Sequence, residues 1–216
     1  MHQLQELFLR NKAGMTVTVQ SAGAAIREII VPDANGKFEN VALAFSDRRK
    51  YMCNPLYAGA AMGPVAGRIS GGRINIGGTE YPLTQNDGNN TLHSGYDNIS
   101  FRLWECGRIS ENRVELRTFL PDGADGFPGN RQFTADYSLD ENNSLTLIYT
   151  AVSDKDTYFN LTNHTYFNLS GNFGINSLNQ KFSFSPLLLL YRFDEMVFVI
   201  FCMTVLDISC PSLSTQ

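Results

Sequence analysis

Along most of the chain, apolar and polar residues alternate with a period of two. Met15-Thr16-Val17-Thr18-Val19 opens the series, and Ala25 to Val31 and Val41 to Phe45 continue it. Such alternation turns one face of a strand toward a core and the other toward water. Arg73-Ile74-Asn75-Ile76 and Thr79-Glu80-Tyr81-Pro82-Leu83 flank Gly77-Gly78, a two-residue loop whose positive φ angles suit a hairpin. Two longer hairpins are expected: Phe101 to Ile109 with Arg113 to Leu120, and Gln132 to Leu139 with Leu145 to Val152. No segment of this body sustains a 3.6-residue apolar period for three turns. The pattern therefore predicts an all-β chain, an antiparallel sandwich or barrel.

Two polar loops interrupt the strands. Gln85 to Asn90 precedes Thr91-Leu92-His93-Ser94-Gly95, and Pro121-Asp122-Gly123-Ala124-Asp125-Gly126-Phe127-Pro128-Gly129 joins two strands. Gly, Asn and Pro at these densities fit irregular backbone at the end of a sheet, where a rigid scaffold aims binding residues. A plain connection is the simpler expectation for the second loop. Thr157-Tyr158-Phe159-Asn160-Leu161 recurs as Thr165-Tyr166-Phe167-Asn168-Leu169, too short for a repeat architecture.

Composition divides the chain. All 18 glycines lie between Gly14 and Gly174, and from Phe182 to Gln216 the sequence is hydrophobic at 21 of 35 positions, against 43 % for the whole. Residues 1–180 thus read as the sandwich and 181–216 as an atypical hydrophobic tail. The mostly apolar stretch from Met196 to Leu206 falls short of the roughly 20 residues a spanning helix needs, so no membrane partner is expected. A net charge of −4 with scattered Lys and Arg gives no footprint for nucleic acid. Cys53, Cys106, Cys202 and Cys210 lack zinc or redox spacing and are expected as free thiols. The N-terminus lacks the pattern of a secretory signal, so a cytoplasmic location is expected and the Asn-x-Ser/Thr sequons carry no weight.

Of three histidines, His2 is expected to be terminal and uninvolved, whereas His93 and His164 fall in Gly- and Asn-rich contexts and are the candidates for acid–base work. Arg68, in Gly63-Pro64-Val65-Ala66-Gly67-Arg68-Ile69, can donate a planar fork to two oxygens. Asn, His, Arg and aromatic residues together suit a polyhydroxylated ligand.

Five segments in order, Gly63 to Ile69, Gly77 to Leu83, Asn90 to Gly95, Pro121 to Gly129 and Asn160 to Gly171, resemble the aldose 1-epimerases of the galactose mutarotase family over roughly residues 14 to 180. The resemblance implies an antiparallel β-sandwich of the galactose mutarotase type, here incomplete. It implies interconversion of the α and β anomers of free aldoses such as glucose and galactose, with a sugar as partner and no cofactor. It places His164 as the general acid at the ring oxygen, His93 beside that oxygen, Arg68 and Gly67 at sugar hydroxyls, and Tyr166 beside His164.

The sequence departs from that pattern. Pro64 stands where the family has Arg, Gly67 where it has Asn, and Ser94 where it has Gly. The family's general base, a Glu near the C-terminus of a longer chain, has no counterpart in the resemblance, nor does a ligand-binding Asp. Glu195, in an unlike context, is not expected to replace that base. Impaired mutarotation is therefore expected, with a non-catalytic sugar-binding module as the alternative and a sugar-phosphate epimerase, which would need more basic residues, as a third. Oligomeric state is not readable from the sequence.

Overall fold

The computed structural model describes residues 3–33, 35–174, 190–193 and 196–204. His2 and Glu195 lie outside them, as does most of the segment 181–216. Two sheets carry the fold. The first runs β1 (Glu6–Arg10), β2 (Thr16–Gln20), β3 (Ala25–Pro32) and β4 (Phe38–Asn40) in sequence order, and every pairing in it is antiparallel. The second is built from β5 (Glu105–Ser110), β6 (Arg113–Leu120), β7 (Arg131–Leu139) and β8 (Ser144–Ser153). Strands β9 (Leu190–Phe193) and β10 (Met196–Thr204) extend it, with β10 antiparallel to β8.

The period-two pattern becomes burial. Along β7, Phe133, Ala135, Tyr137 and Leu139 are buried, and along β8, Leu145, Leu147, Tyr149 and Ala151. They meet Leu9, Val17, Val19, Ile29 and Val31 from the first sheet in one core, together with Trp104. Each such side chain contributes about 1.5–3 kcal/mol relative to exposure. Asn11, buried in the turn after β1, pins the sheets together at one end. Its Oδ1 accepts the Met15 N–H, and its Nδ2 donates to the Asp140 carbonyl and to Asn143 Oδ1, in the β7–β8 turn.

The all-β antiparallel expectation holds, as do the hairpins across Gly77-Gly78, β5–β6 and β7–β8. Two local expectations are corrected. Val41 to Phe45 is not a strand. Asn40 Oδ1 accepts the N–H groups of Ile29 and Ala42, ending β4, and the chain crosses over so that the Leu43 N–H donates to the Tyr166 carbonyl. Ile99–Phe101 forms a short 3₁₀ turn capped by Asn98, so β5 begins only at Glu105. Strand β1 was not signalled by alternation. Cys53 and Cys106 are free thiols. Among the described residues no helix is long and apolar enough to cross a membrane.

Gly59 marks the tightest backbone approach. Its φ is +67°, and a Cβ there would stand 1.9 Å from the Ile26 carbonyl oxygen, because the Ile26 N–H bonds to the Gly59 carbonyl at 2.9 Å. Gly77, at φ +58°, faces open space. Gly59→Ala should therefore cost about 2–5 kcal/mol, left-handed strain plus steric overlap, against about 1–2 kcal/mol of strain alone for Gly77→Ala. Urea unfolding of both variants tests this, and equal losses would contradict it.

Candidate active site

The site is assembled from three segments laid on the rim of the sandwich. The first, 54–62, opens with a buried Asn54 whose side chain accepts the Ala58 N–H and donates to the Ala58 carbonyl, closing a turn around Tyr57. The second, 160–168, pairs with it: Thr162–Asn163 is antiparallel to Ala61–Met62. The ladder continues as Gly59 N–H bonds to the His164 carbonyl at 3.0 Å and His164 N–H to the Ala60 carbonyl at 2.9 Å. The backbone of His164 is thus fixed on both sides.

The third segment carries His93. Arg68–Ile69 pairs with Thr91–Leu92, and Asn86 of the first polar loop templates that pair by accepting the Leu92 N–H and donating to the carbonyls of Leu92 and Gly95. His93, Ser94 and Gly95 are all left-handed, at φ +50°, +69° and +96°. Two non-glycine residues there cost about 1–3 kcal/mol each and persist only where surroundings compensate. The compensation is visible. Buried Ser94 Oγ accepts the Val65 N–H at 2.7 Å and donates to the Val65 carbonyl at 2.8 Å, contacts a glycine could not make. Asp125 accepts the N–H groups of Tyr96 at 3.1 Å and Asp97 at 2.6 Å.

The loop from Pro121 to Gly129 is therefore more than a connection. Beneath it the fully buried Arg131 donates from Nε to the Gly129 carbonyl at 2.9 Å and from Nη2 to the Pro121 carbonyl at 2.9 Å, with its guanidinium over the Phe127 ring. Burial pushes its pKa down to about 10, which leaves it a cation at neutral pH.

These segments bring the two histidines together. The imidazole centroids of His93 and His164 are 5.4 Å apart at 79°. Tyr57 touches both, at 5.0 Å from His93 and 6.0 Å from His164, and is backed by Phe101 at 5.2 Å. Tyr166 flanks His164 at 4.9 Å, its hydroxyl donating to the Leu56 carbonyl. Among the described residues no hydrogen bond ties the His164 ring nitrogens.

His93 is held differently. Its Nδ1 accepts the Gly67 N–H at 3.1 Å, while its own N–H donates to the Gly67 carbonyl at 2.9 Å. An acceptor at Nδ1 puts the proton of a neutral imidazole on Nε2. Burial first, then the His164 and Arg68 charges, pushes the His93 pKa down to about 4. His93 is accordingly a neutral donor through Nε2–H at physiological pH. Gly67, at φ +82° with open space beyond its Cα, occupies a backbone conformation that Asn also tolerates. Arg68 is exposed, its Nε donating to Asp87 at 2.7 Å. Among the described residues no group of three His, Cys, Asp or Glu side chains could hold a metal ion. Two surface concavities, of about 320 and 270 Å³, lie elsewhere, over β5–β7 and beside β4.

Residues 5–187 match the family described as aldose 1-epimerase. The chain belongs to the aldose 1-epimerase family. It is 37 % identical over 166 residues to the galactose mutarotase of Mus musculus, covering 77 % of this chain and 48 % of that one. It is 34 % identical over 165 residues to the aldose 1-epimerase of Escherichia coli K12, covering 76 % and 48 %. Among solved structures, an aldose epimerase homologue from Caenorhabditis elegans superposes with a TM-score of 0.74 at 29 % identity, covering 77 % of this chain and 51 % of the other. The galactose 1-epimerase of Lactobacillus acidophilus does so at 0.70 and 36 %, covering 76 % and 49 %. The sandwich is thus of the galactose mutarotase type. The chain spans about half the length of the curated relatives it matches.

The fold brings all the candidates named from the sequence, His93, His164, Gly67, Arg68 and Tyr166, to one rim of the sandwich. Tyr57, Asp87 and Asp125 were not singled out by sequence. Tyr57 sits in Asn54-Pro55-Leu56-Tyr57-Ala58-Gly59, where an Asn, a Pro and a Gly around an aromatic were the available signal of an irregular turn.

Because the folded chain keeps His93 neutral down to about pH 4 while an unfolded histidine titrates near 6.5, the unfolded chain takes up the proton first. Stability from this group is complete above about pH 6.5 and is lost as pH falls from there toward 4. His93→Gln should flatten the unfolding free energy across that window, and NMR of the parent should show the Nε2–H tautomer. A His93 midpoint near 6.5 would contradict the burial argument.

Proposed function

We propose that the rim binds a free aldohexose such as glucose or galactose and that the chain has the acid half of an aldose 1-epimerase site. Opening a hemiacetal ring requires a proton delivered to the ring oxygen and another removed from the anomeric hydroxyl; rotation of the aldehyde and reclosure then give the other anomer. His164 is the group for the first step, with ring nitrogens that make no hydrogen bond to the described residues and its backbone locked. His93, neutral with Nε2–H outward, donates a hydrogen bond to the sugar beside that oxygen. Gly67 acts on the sugar through His93, whose tautomer it sets. Arg68, turned toward Asp87, offers its remaining N–H groups to hydroxyls, and Tyr57 and Tyr166 supply ring faces for the C–H face of the sugar. The observation that carries this reading is the imidazole pair 5.4 Å apart between tyrosines.

Mutarotation by these 216 residues is slow in this reading. The carboxylates that hydrogen bonding ties to this region, Asp87 and Asp125, are occupied by Arg68 and by the N–H groups of Tyr96 and Asp97. Without a positioned base among the described residues, the rate falls by about 10²- to 10⁴-fold relative to a complete acid–base pair. The same occupied carboxylates favour, as second reading, a sugar-binding module without catalysis.

Polarimetry on fresh α-D-glucose, run beside calorimetric titration with glucose and galactose, separates the two. The expected result is millimolar binding that disappears in His93→Ala, and a weak acceleration that disappears in His164→Gln. Binding with no acceleration selects the second reading, and no binding at millimolar sugar removes both.

A further inference from the structure

Beneath His164 lies a chain of hydrogen bonds that enters the core. Asn163 Nδ2 donates to the Gly59 carbonyl at 2.8 Å and to the Tyr149 hydroxyl at 3.1 Å. Its Oδ1 accepts the Thr165 N–H at 3.0 Å and the Thr165 hydroxyl. The Tyr149 and Tyr137 hydroxyls are 3.1 Å apart, and Tyr137 donates to the Ala24 carbonyl at 2.5 Å. Both tyrosines are essentially fully buried, on neighbouring strands of the second sheet, with their rings edge to face at 6.3 Å.

The direction of every proton in this chain is forced. The Gly59 carbonyl can only accept and the Thr165 N–H can only donate, which fixes the Asn163 amide with Nδ2 toward Tyr149. Tyr149 must then accept from Asn163 and give its own proton to Tyr137. Tyr137, facing the Ala24 carbonyl, must give its proton there, and so can accept from Tyr149. The two ends, each set by backbone, agree on one arrangement. Burial raises Tyr149 to about 12 and Tyr137 well above the usual phenol range, so both stay protonated and the chain stays intact.

We propose that Tyr149 and Tyr137 are positioning residues for the acid histidine: through the fixed Asn163 amide they hold His164 at the angle at which its imidazole faces His93. Their part in catalysis rests on the sugar-epimerase reading, but their hold on His164 does not. With all four hydrogen-bonding capacities of its amide used, Asn163 cannot rotate without leaving a buried group unpaired, and His164 is its neighbour on the 162–164 ladder. Removing the Tyr149 hydroxyl leaves one Nδ2 hydrogen facing a phenyl ring and frees the amide to turn.

The test is Tyr149→Phe in the full chain, read by histidine-selective NMR. The imidazole signals of His164 should move, while His93, held by Gly67, keeps its Nε2–H tautomer. Folded Tyr149→Phe with His164 unmoved overturns the proposal. Tyr137→Phe serves if Tyr149→Phe fails to fold. It keeps the Asn163–Tyr149 bond but removes the acceptor of the Tyr149 proton, so a smaller displacement of His164 is expected and none would again overturn it. Adding glucose to the parent chain checks the sugar reading separately, because a parent that ignores sugar can still show His164 displaced in the variants.

Discussion

The site depends on one short stretch of backbone pairing, where residues 59–62 meet 162–164. Its hydrogen bonds fix the main chain of His164, and its close approach to Ile26 is open only to a residue without a side chain, Gly59. On one side this ladder rests on the core through Asn163 and the buried tyrosines. On the other it presents Tyr57 and His164 toward the segment that carries His93. A buried backbone group without a partner is costly, so the ladder has little freedom to open while the core stays packed.

The two histidines are consequently held by different means and to different ends. His93 is fixed by its own ring, since Gly67 uses Nδ1, and burial keeps the ring neutral. His164 is fixed through its backbone and its neighbour Asn163, which leaves its ring nitrogens unengaged by the described residues. A rigid neutral donor beside an imidazole whose ring nitrogens the described residues leave unengaged is an arrangement suited to a substrate that offers several oxygens. The supports are layered: Ser94 and Asp125 hold the left-handed turn at His93, and Arg131 holds the loop that supplies Asp125.

Departures from the family pattern acquire physical meaning in this setting. Ser94 adopts a backbone conformation natural to glycine, and its hydroxyl offsets the strain by bonding both polar groups of Val65. Gly67 takes a left-handed conformation with nothing near its Cα, so glycine fits as well as asparagine does. Nothing in the structure explains Pro64 where the family has arginine.

The alternation of apolar residues by itself determined the antiparallel all-β class and the long hairpins, because a strand half in a core must alternate whatever lies opposite it. Five ordered motifs determined the family and named the two histidines. Where the pattern was silent, the cause was tertiary. Val41 to Phe45 alternates like a strand, yet its Leu43 N–H donates to the Tyr166 carbonyl and its Val41 carbonyl accepts the Asn168 N–H, a choice not set by local periodicity. Tyr57, Asp125 and the pair Tyr137 and Tyr149 acquire their roles only through partners between about 12 and 113 residues away. Hydrogen-bond direction and imidazole tautomer depend on which backbone group faces each side chain, and only the folded chain decides that.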